Sequence, residues 1–407
     1  MMGILLALFM GACMFFVGTL LWVICINFFT VDIPAAISHP VKLWVFHCIS
    51  ELFLTWGMIF EKLGICSMPQ FVRFLHDLKP VKEDPDVVAT NLCFGTVPVR
   101  LYQPKAASRT PRRGVIFYHG GGGVFGSLKL YQNICTRLSK ESDSVVLAVG
   151  YRMLPRHKFP VALRDCITAT IHFLKSLNAY EVDPAQVVVC GDSMGGGIAA
   201  AICQKLVDSP DLPKIRAQVL IYATLQALDL QLPSCQQHKS VPLLTESFLF
   251  YCMFNNLDIS PSWKSTMMNK AHLPAEVWEK YRKWLGPENI PERFKKKGYQ
   301  PMSPKSLDED AYLETNIILD LMNSPLIAED EVVSRVPEAF IVTCEHDILR
   351  DHSLLYKKRL EDLGVAVTWQ HVEDGFHGAL STLDLGYLEF PCSTRILNAI
   401  VHFLKGL

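Results

Sequence analysis

The chain runs apolar and uncharged from Gly3 to Thr30, and a second apolar block, Leu43 to Phe60, carries His47 and Glu51 near its middle. After Pro85 the pattern changes to short β-branched runs alternating with helical periodicity. At about 1.5 Å per residue the first block crosses a hydrocarbon core of about 30 Å with length to spare. A cleaved signal peptide has a shorter apolar run, about 7–15 residues, behind a basic start. A retained transmembrane signal-anchor over 1–31 is therefore predicted, with Ile33-Pro34 and His39-Pro40 marking its exit. A carboxylate at the bilayer centre costs roughly 2.5–3.5 kcal/mol, which a few Leu and Phe offset, so the second block leaves a second span open. The preferred reading is a helix at the membrane surface or packed on the folded domain, with 32–84 a membrane-proximal helical segment contributing to a cap. Lys42, Lys62 and Arg73 follow the first block and by the positive-inside rule favour a cytosolic domain.

Beyond Pro85 the periodicity predicts strands at 92–104, 114–118, 144–151, 186–190, 217–222, 339–344 and 365–372, and helices at 161–177, 352–363 and 393–404. The 92–104 run is expected to be antiparallel, with Pro98 placing it near a sheet edge. Strands alternating with helices imply an α/β fold, a mostly parallel sheet covered on both faces. The alternation fails over 232–336, where Trp263, Trp278, Trp284 and several prolines cluster around a basic Arg293–Lys297 run. The expectation is a core in two parts, 85–231 and 337–407, with a helical cap or lid inserted at 232–336. A solvated face is the favoured reading of the lysines over a lipid-headgroup site.

A formal net charge of −1 gives no reason to expect nucleic acid. The thirteen cysteines are scattered with no C-x-x-C pair, which argues against zinc or redox chemistry; neither a metal nor a cofactor is expected.

The chemistry concentrates at Val187-Val-Val-Cys-Gly-Asp-Ser-Met-Gly-Gly-Gly197, a β-branched run that breaks at Gly191 and continues as helix formers. This is the pattern of a nucleophile elbow, which lifts Ser193 out of a sheet; Gly191 and Gly195 are needed where a side chain would collide across the turn. The alternative is an N-cap serine. A serine attacking a carbonyl needs backbone donors for the oxyanion, and His119-Gly-Gly-Gly-Gly-Val-Phe-Gly126 offers them directly after a strand. Two amides from Gly120, Gly121 and Gly122, with that of Met194, would form the hole, and His119 is the supporting residue of the motif. Gly121-x-Gly123-x-x-Gly126 also fits a dinucleotide fingerprint, but Asp143 precedes its strand rather than ending it. In α/β hydrolases the acid and then the histidine follow the nucleophile, each after a strand. Asp347 and His377 occupy those places; Asp347 or Asp351 as a helix cap, and His377 as a surface histidine, are the alternatives. Asp192 is expected to face away.

With these residues in place the chain resembles the hormone-sensitive-lipase branch of the α/β hydrolases (the GDXG lipolytic family), and within it the arylacetamide deacetylase-like proteins. Tyr151-Arg-Met-Leu-Pro155, Phe159-Pro160, Gly191-Asp-Ser193, Leu349-Arg-Asp351 and Val372–Gly378 carry the likeness, together with the apolar N-terminus. The resemblance implies an α/β-hydrolase fold and a single-pass type II membrane protein with its catalytic domain in the endoplasmic-reticulum lumen, against the charge argument. It further implies Ser-His-Asp hydrolysis of small apolar or lipid esters or amides, with membrane lipid as a partner. A non-catalytic, membrane-tethered binding protein for apolar ligands is the alternative. The chain departs from the pattern at Gly123, where many relatives have an aromatic residue, and at Met194, usually alanine.

Overall fold

The computed structural model describes residues 2–81, 83–296 and 299–407; Lys297 of the basic run lies outside them. Helices α1 (Met2–Thr30), α2 (Pro40–Lys62) and α3 (Met68–Asp77) come first, followed by strands β1 (Val87–Phe94) and β2 (Val97–Pro104). Next come β3 (Arg112–Tyr118), α4 (Gln132–Ser142), β4 (Ser144–Val149), α5 (Val161–Lys175), β5 (Val182–Asp192), α6 (Met194–Leu206) and β6 (Ala217–Ile221). The segment after β6 holds α7 (Pro233–Gln237), α8 (Glu246–Leu257), α9 (Lys264–Met268), α10 (Ala275–Leu285), α11 (Glu309–Thr315) and α12 (Asp330–Val333). Then β7 (Glu338–His346), α13 (Arg350–Asp362), β8 (Val367–Phe376) and α14 (Pro391–Gly406) complete the described chain.

Among the described residues the strands form one eight-stranded sheet in the order β1-β2-β4-β3-β5-β6-β7-β8, parallel from β4 onward. Its central strands read as unbroken apolar runs because both faces are covered. In β3, Ile116 and Tyr118 enter the layer with α5, α6 and α13, while Val115 and Phe117 enter the layer with α4 and α14. In β5, Val187 and Val189 face the first layer and Val188 and Cys190 the second. Register brings the carboxyl ends of these strands to one edge: Tyr118 pairs with Gly191, Asp192 with Ile221, and His346 with Phe376.

The expected 92–104 strand is instead the hairpin β1–β2, turned at Gly95-Thr96 with Gly95 at φ 63°. It is β1 that forms the edge, so Pro98 lies one strand in. The β2–β4 pairing begins at Val99, so the donor Pro98 lacks falls outside the paired segment, and its carbonyl accepts the Gly150 N–H (2.9 Å).

Along nearly its whole length α1 is exposed, with Val23 and Asn27 its buried residues. Two helices, α1 and α2, are long and apolar enough to cross a membrane. Helix α3 falls within the 32–84 segment expected to be helical, at a place where no separate helix was predicted. It opens on a capping box, Ser67 to Gln70, in which the Gln70 N–H donates to the Ser67 hydroxyl and the Gln70 amide oxygen accepts from the Ser67 N–H. In the basic run, Arg293 stacks on Phe294 and Trp369, and Lys295 pairs with Glu292.

Candidate active site

Ser193 stands between β5 and α6 at φ 55°, ψ −122°, a conformation an L residue holds only under constraint. The constraint is a set of backbone bonds. Its N–H donates to the Ile221 carbonyl (2.8 Å), and its own carbonyl accepts from Gly196, Gly197 and Thr224. A Cβ at Gly191 would run into the Gly195 carbonyl, and one at Gly195 into the Tyr118 carbonyl. The turn can be this tight only with glycine at both positions.

The Ser193 hydroxyl lies 2.8 Å from His377 Nε2, and His377 Nδ1 lies 2.9 Å from Asp347 Oδ2. Asp347 follows β7, His377 follows β8, and the register of these strands brings both to the serine. Asp347 does not cap α13, whose N-cap is Leu349 with no side-chain cap bond; its Oδ1 accepts the Leu349 N–H (2.8 Å) in the turn between β7 and that helix. The turn bond fixes the carboxylate that meets the imidazole. Asp351 is not in this line; it accepts from Ser234 N–H and pairs with Arg350, itself fully buried. Exposure of Asp347 is 0%, of His377 7% and of Ser193 9%, so the string runs from the interior to a surface the substrate can reach. The Tyr222 ring packs against the imidazole with centroids 5.0 Å apart.

The glycine loop after β3 presents two classes of amide. Gly120 N–H donates to Asp192 Oδ1 (2.8 Å) and lies 3.2 Å from the Tyr131 hydroxyl, which donates to Asp192 Oδ2 (3.0 Å). Gly120 is thus already paired and does not line the cavity, which corrects its expected place among the oxyanion donors. The amides of Gly121, Gly122 and Met194 have no protein acceptor among the described residues, and all three residues line the cavity beside Ser193. Asp192 does face away from the histidine, but it is the residue that pins the loop. Burial pushes its carboxyl up to about 6, against the opposing pull of the Tyr131 and Gly120 hydrogen bonds.

His119 supports the loop from beneath. Its ring stacks on Tyr151 (4.2 Å), its Nδ1–H donates to the Gly120 carbonyl (2.8 Å), and its carbonyl accepts from the Tyr151 hydroxyl (2.6 Å). Burial pushes its imidazole down to about 4, so the ring is neutral near pH 7. The dinucleotide alternative finds no support, because Asp143 caps α4 at the other end of the sheet and pairs with Arg112.

Reasoning from the sequence missed Tyr131 and Arg73. The Arg73 guanidinium on α3 donates to the carbonyls of Val124 (2.8 Å) and Leu154 (2.9 Å), tying that helix to the glycine loop. The Ser67-x-x-Gln70 capping pattern ahead of an amphipathic stretch was the available signal for α3. Nothing local marks Tyr131, whose partner is 61 residues away.

Ser193 opens into a cavity of about 550 Å³ with mainly apolar walls, among them Leu54, Leu75, Phe125, Phe248 and Met253. The two departures from the family pattern meet here. A Cβ at Gly123 would lie 3.5 Å from the Met194 sulfur and 3.3 Å from the Asn256 amide oxygen, so Met194 and Asn256 fill the space beside that glycine.

Sheet order, strand–serine–helix turn, glycine loop and the later Asp and His define the α/β-hydrolase class. The family model described as alpha/beta hydrolase fold matches residues 115–271 and 285–381. The chain is 68% identical over 397 residues to human arylacetamide deacetylase-like 3, covering 98% of each. It is 35% identical over 380 residues to arylacetamide deacetylase of Oryctolagus cuniculus, covering 92% of this chain and 94% of that one. Among solved structures, a hyperthermophilic esterase from the archaeon Pyrobaculum calidifontis matches with a TM-score of 0.60 at 22% identity, over 86% of this chain and 97% of that one, a likeness of fold. The chain belongs to the alpha/beta hydrolase fold family and, within it, to the arylacetamide deacetylase-like proteins.

Proposed function

We propose that this chain is a membrane-anchored serine hydrolase that cleaves carboxylic esters, or amides of the arylacetamide kind, carried by small apolar or lipid molecules. The observation that carries the reading is the continuous hydrogen-bonded string Asp347–His377–Ser193 ending at an apolar cavity. Neutral His377 takes the Ser193 proton as the hydroxyl attacks the carbonyl, and Asp347 holds the ring in the right tautomer and stabilises its charged form. The oxyanion is met by the free amides of Gly121, Gly122 and Met194; one such donor contributes about 3 kcal/mol to the transition state. His377 then protonates the leaving alcohol or amine and afterwards activates the water that clears the acyl-enzyme. No step requires a metal or cofactor.

In this reading α1 is a single-pass signal-anchor, 232–336 caps the strand ends, and 32–84 supplies a wall of the cavity. The family resemblance supports a type II orientation with the catalytic part in the endoplasmic-reticulum lumen; protease protection in sealed microsomes tests it. Ser193→Ala in the full chain is expected to lower turnover of a short p-nitrophenyl ester by at least 10³-fold and to abolish labelling by a fluorophosphonate probe. Labelling that persists in this variant would reject Ser193 as nucleophile. Ligand retention without turnover in the wild type would favour a binding protein.

A further inference from the structure

We propose that substrate reaches Ser193 sideways out of the lipid, past α2 and α3, so that the natural substrate is an ester or amide dissolved in the bilayer. This rests on the reading of the chain as a membrane-anchored hydrolase. Helices α1 and α2 pack along one another, with Phe15 and Phe16 against Trp56 at centroid distances of 5.6 and 5.8 Å. Phe15 lies 15 residues before Thr30, about 22 Å down the α1 axis. When α1 crosses a core of about 30 Å, Trp56 is therefore carried among the acyl chains. From Trp56 an aromatic contact line continues through Phe60 (5.6 Å) to Phe71 on α3 (4.9 Å), so α3 is held against the same region.

The inner faces of these helices wall the Ser193 cavity, through Phe53 and Leu54 of α2 and Val72 and Leu75 of α3. Away from the cavity the helices expose apolar side chains, with Glu61, Lys62 and Gln70 as exposed polar neighbours. Met58, Leu63, Ile65, Phe74 and Leu78 are all exposed, and Tyr387, beside the cavity-lining Leu385 and Leu388, is 87% exposed. Outside α1, seven of the thirteen exposed large apolar side chains among the described residues lie on α2 or α3 or within three residues after them. Exposed apolar side chains in this number destabilise a protein in water and are satisfied by lipid. The occupant is thus the leaflet that α1 crosses, and two helices separate it from the nucleophile.

The test uses the full chain reconstituted in phosphatidylcholine vesicles, comparing wild type with Phe74→Asp/Leu78→Asp; neither residue lines the cavity. Turnover of a bilayer-resident long-chain ester, 4-methylumbelliferyl oleate, is expected to fall at least tenfold, while that of water-soluble p-nitrophenyl acetate stays within twofold and the variant still floats with the vesicles. Equal loss on both substrates, or no loss on either, overturns lateral entry. A second measurement is independent of folding of the variant and of catalysis. The Trp56 share of emission, taken as the difference between wild type and Trp56→Phe, is expected to be quenched by phosphatidylcholine brominated mid-chain; an unquenched share overturns the proposal. Wild type inert on both esters would instead reject the hydrolase reading, leaving the quenching to decide where α2 lies, and wild type that does not float would reject the anchor and lateral entry with it.

Discussion

Ser193 holds a backbone geometry that costs on the order of 1–3 kcal/mol, and this strain is what aims the hydroxyl at His377. Ser193→Gly is accordingly expected to raise thermal stability while removing turnover, as calorimetry and an ester assay would show; a destabilised glycine variant would contradict the strain argument. Asp192 touches no reacting atom and works through Gly120, so it is a positioning residue. Asp192→Asn keeps an acceptor for the Gly120 N–H but loses the charge, and kcat is expected to fall about tenfold with KM little changed, which steady-state kinetics would resolve. The Met194 side chain lies next to Gly123 on the cavity wall, and its amide is one of the proposed oxyanion donors. Met194→Ala retains that amide and enlarges the cavity, so the ratio of kcat/KM for long over short acyl esters is expected to rise severalfold.

At the scale of elements, the glycine loop is only as rigid as its neighbours. Arg73 of α3 holds the Val124 and Leu154 carbonyls, and Asp77 at the end of α3 accepts from the Ser127 hydroxyl (2.6 Å). Two charge-assisted bonds to backbone acceptors are each worth about 1.5–3 kcal/mol, and their loss leaves carbonyls unpaired. Arg73→Ala is expected to lower the denaturation midpoint and to slow even water-soluble esters, because the loop that carries Gly121 and Gly122 loosens. Substitutions on the outer face of α3 should spare those esters. The same helix thus makes two separable contributions, one through its guanidinium and one through its exposed apolar face.

Across the whole molecule, burial holds His119, His238, His272 and His352 each near 4, below the ordinary histidine value of 6.5. These rings are neutral in the folded chain, so their contribution to stability is present above pH 6.5 and is lost as pH falls through 4, while the unfolded chain takes up protons. Asp192 acts in the opposite sense: with its folded value raised to about 6, its contribution is full below 3.8 and is lost as pH rises through 6. Asp351, whose carboxyl burial also raises, acts in the same sense as Asp192, and the four histidines outweigh the two carboxyls. The urea midpoint in detergent is expected to drop steadily between pH 6.5 and 4.5, and to drop more steeply in Asp192→Asn. A flat midpoint over that range would contradict the balance.

Local residue order was enough to locate the elbow around Ser193, the glycine loop after β3, the positions of Asp347 and His377 after successive strands, and the long apolar α1. Each is written in neighbouring residues: a β-branched run broken by glycine, or an apolar stretch without charge. The β1–β2 hairpin was not among these: 92–104 was expected as one strand, and the turn at Gly95-Thr96 divides it. Which amides remain free was decided elsewhere. Gly120 and Asp192 meet across 72 residues of chain only because β3 and β5 pair in register, and that pairing removes one of the expected donors. The packing of α2 and α3 against the cavity likewise follows from three-dimensional contact between segments far apart in the chain. Side-chain periodicity announces that a helix has an apolar face, but not what that face will cover, because hydrophobic burial is non-directional and the partner is chosen by the fold.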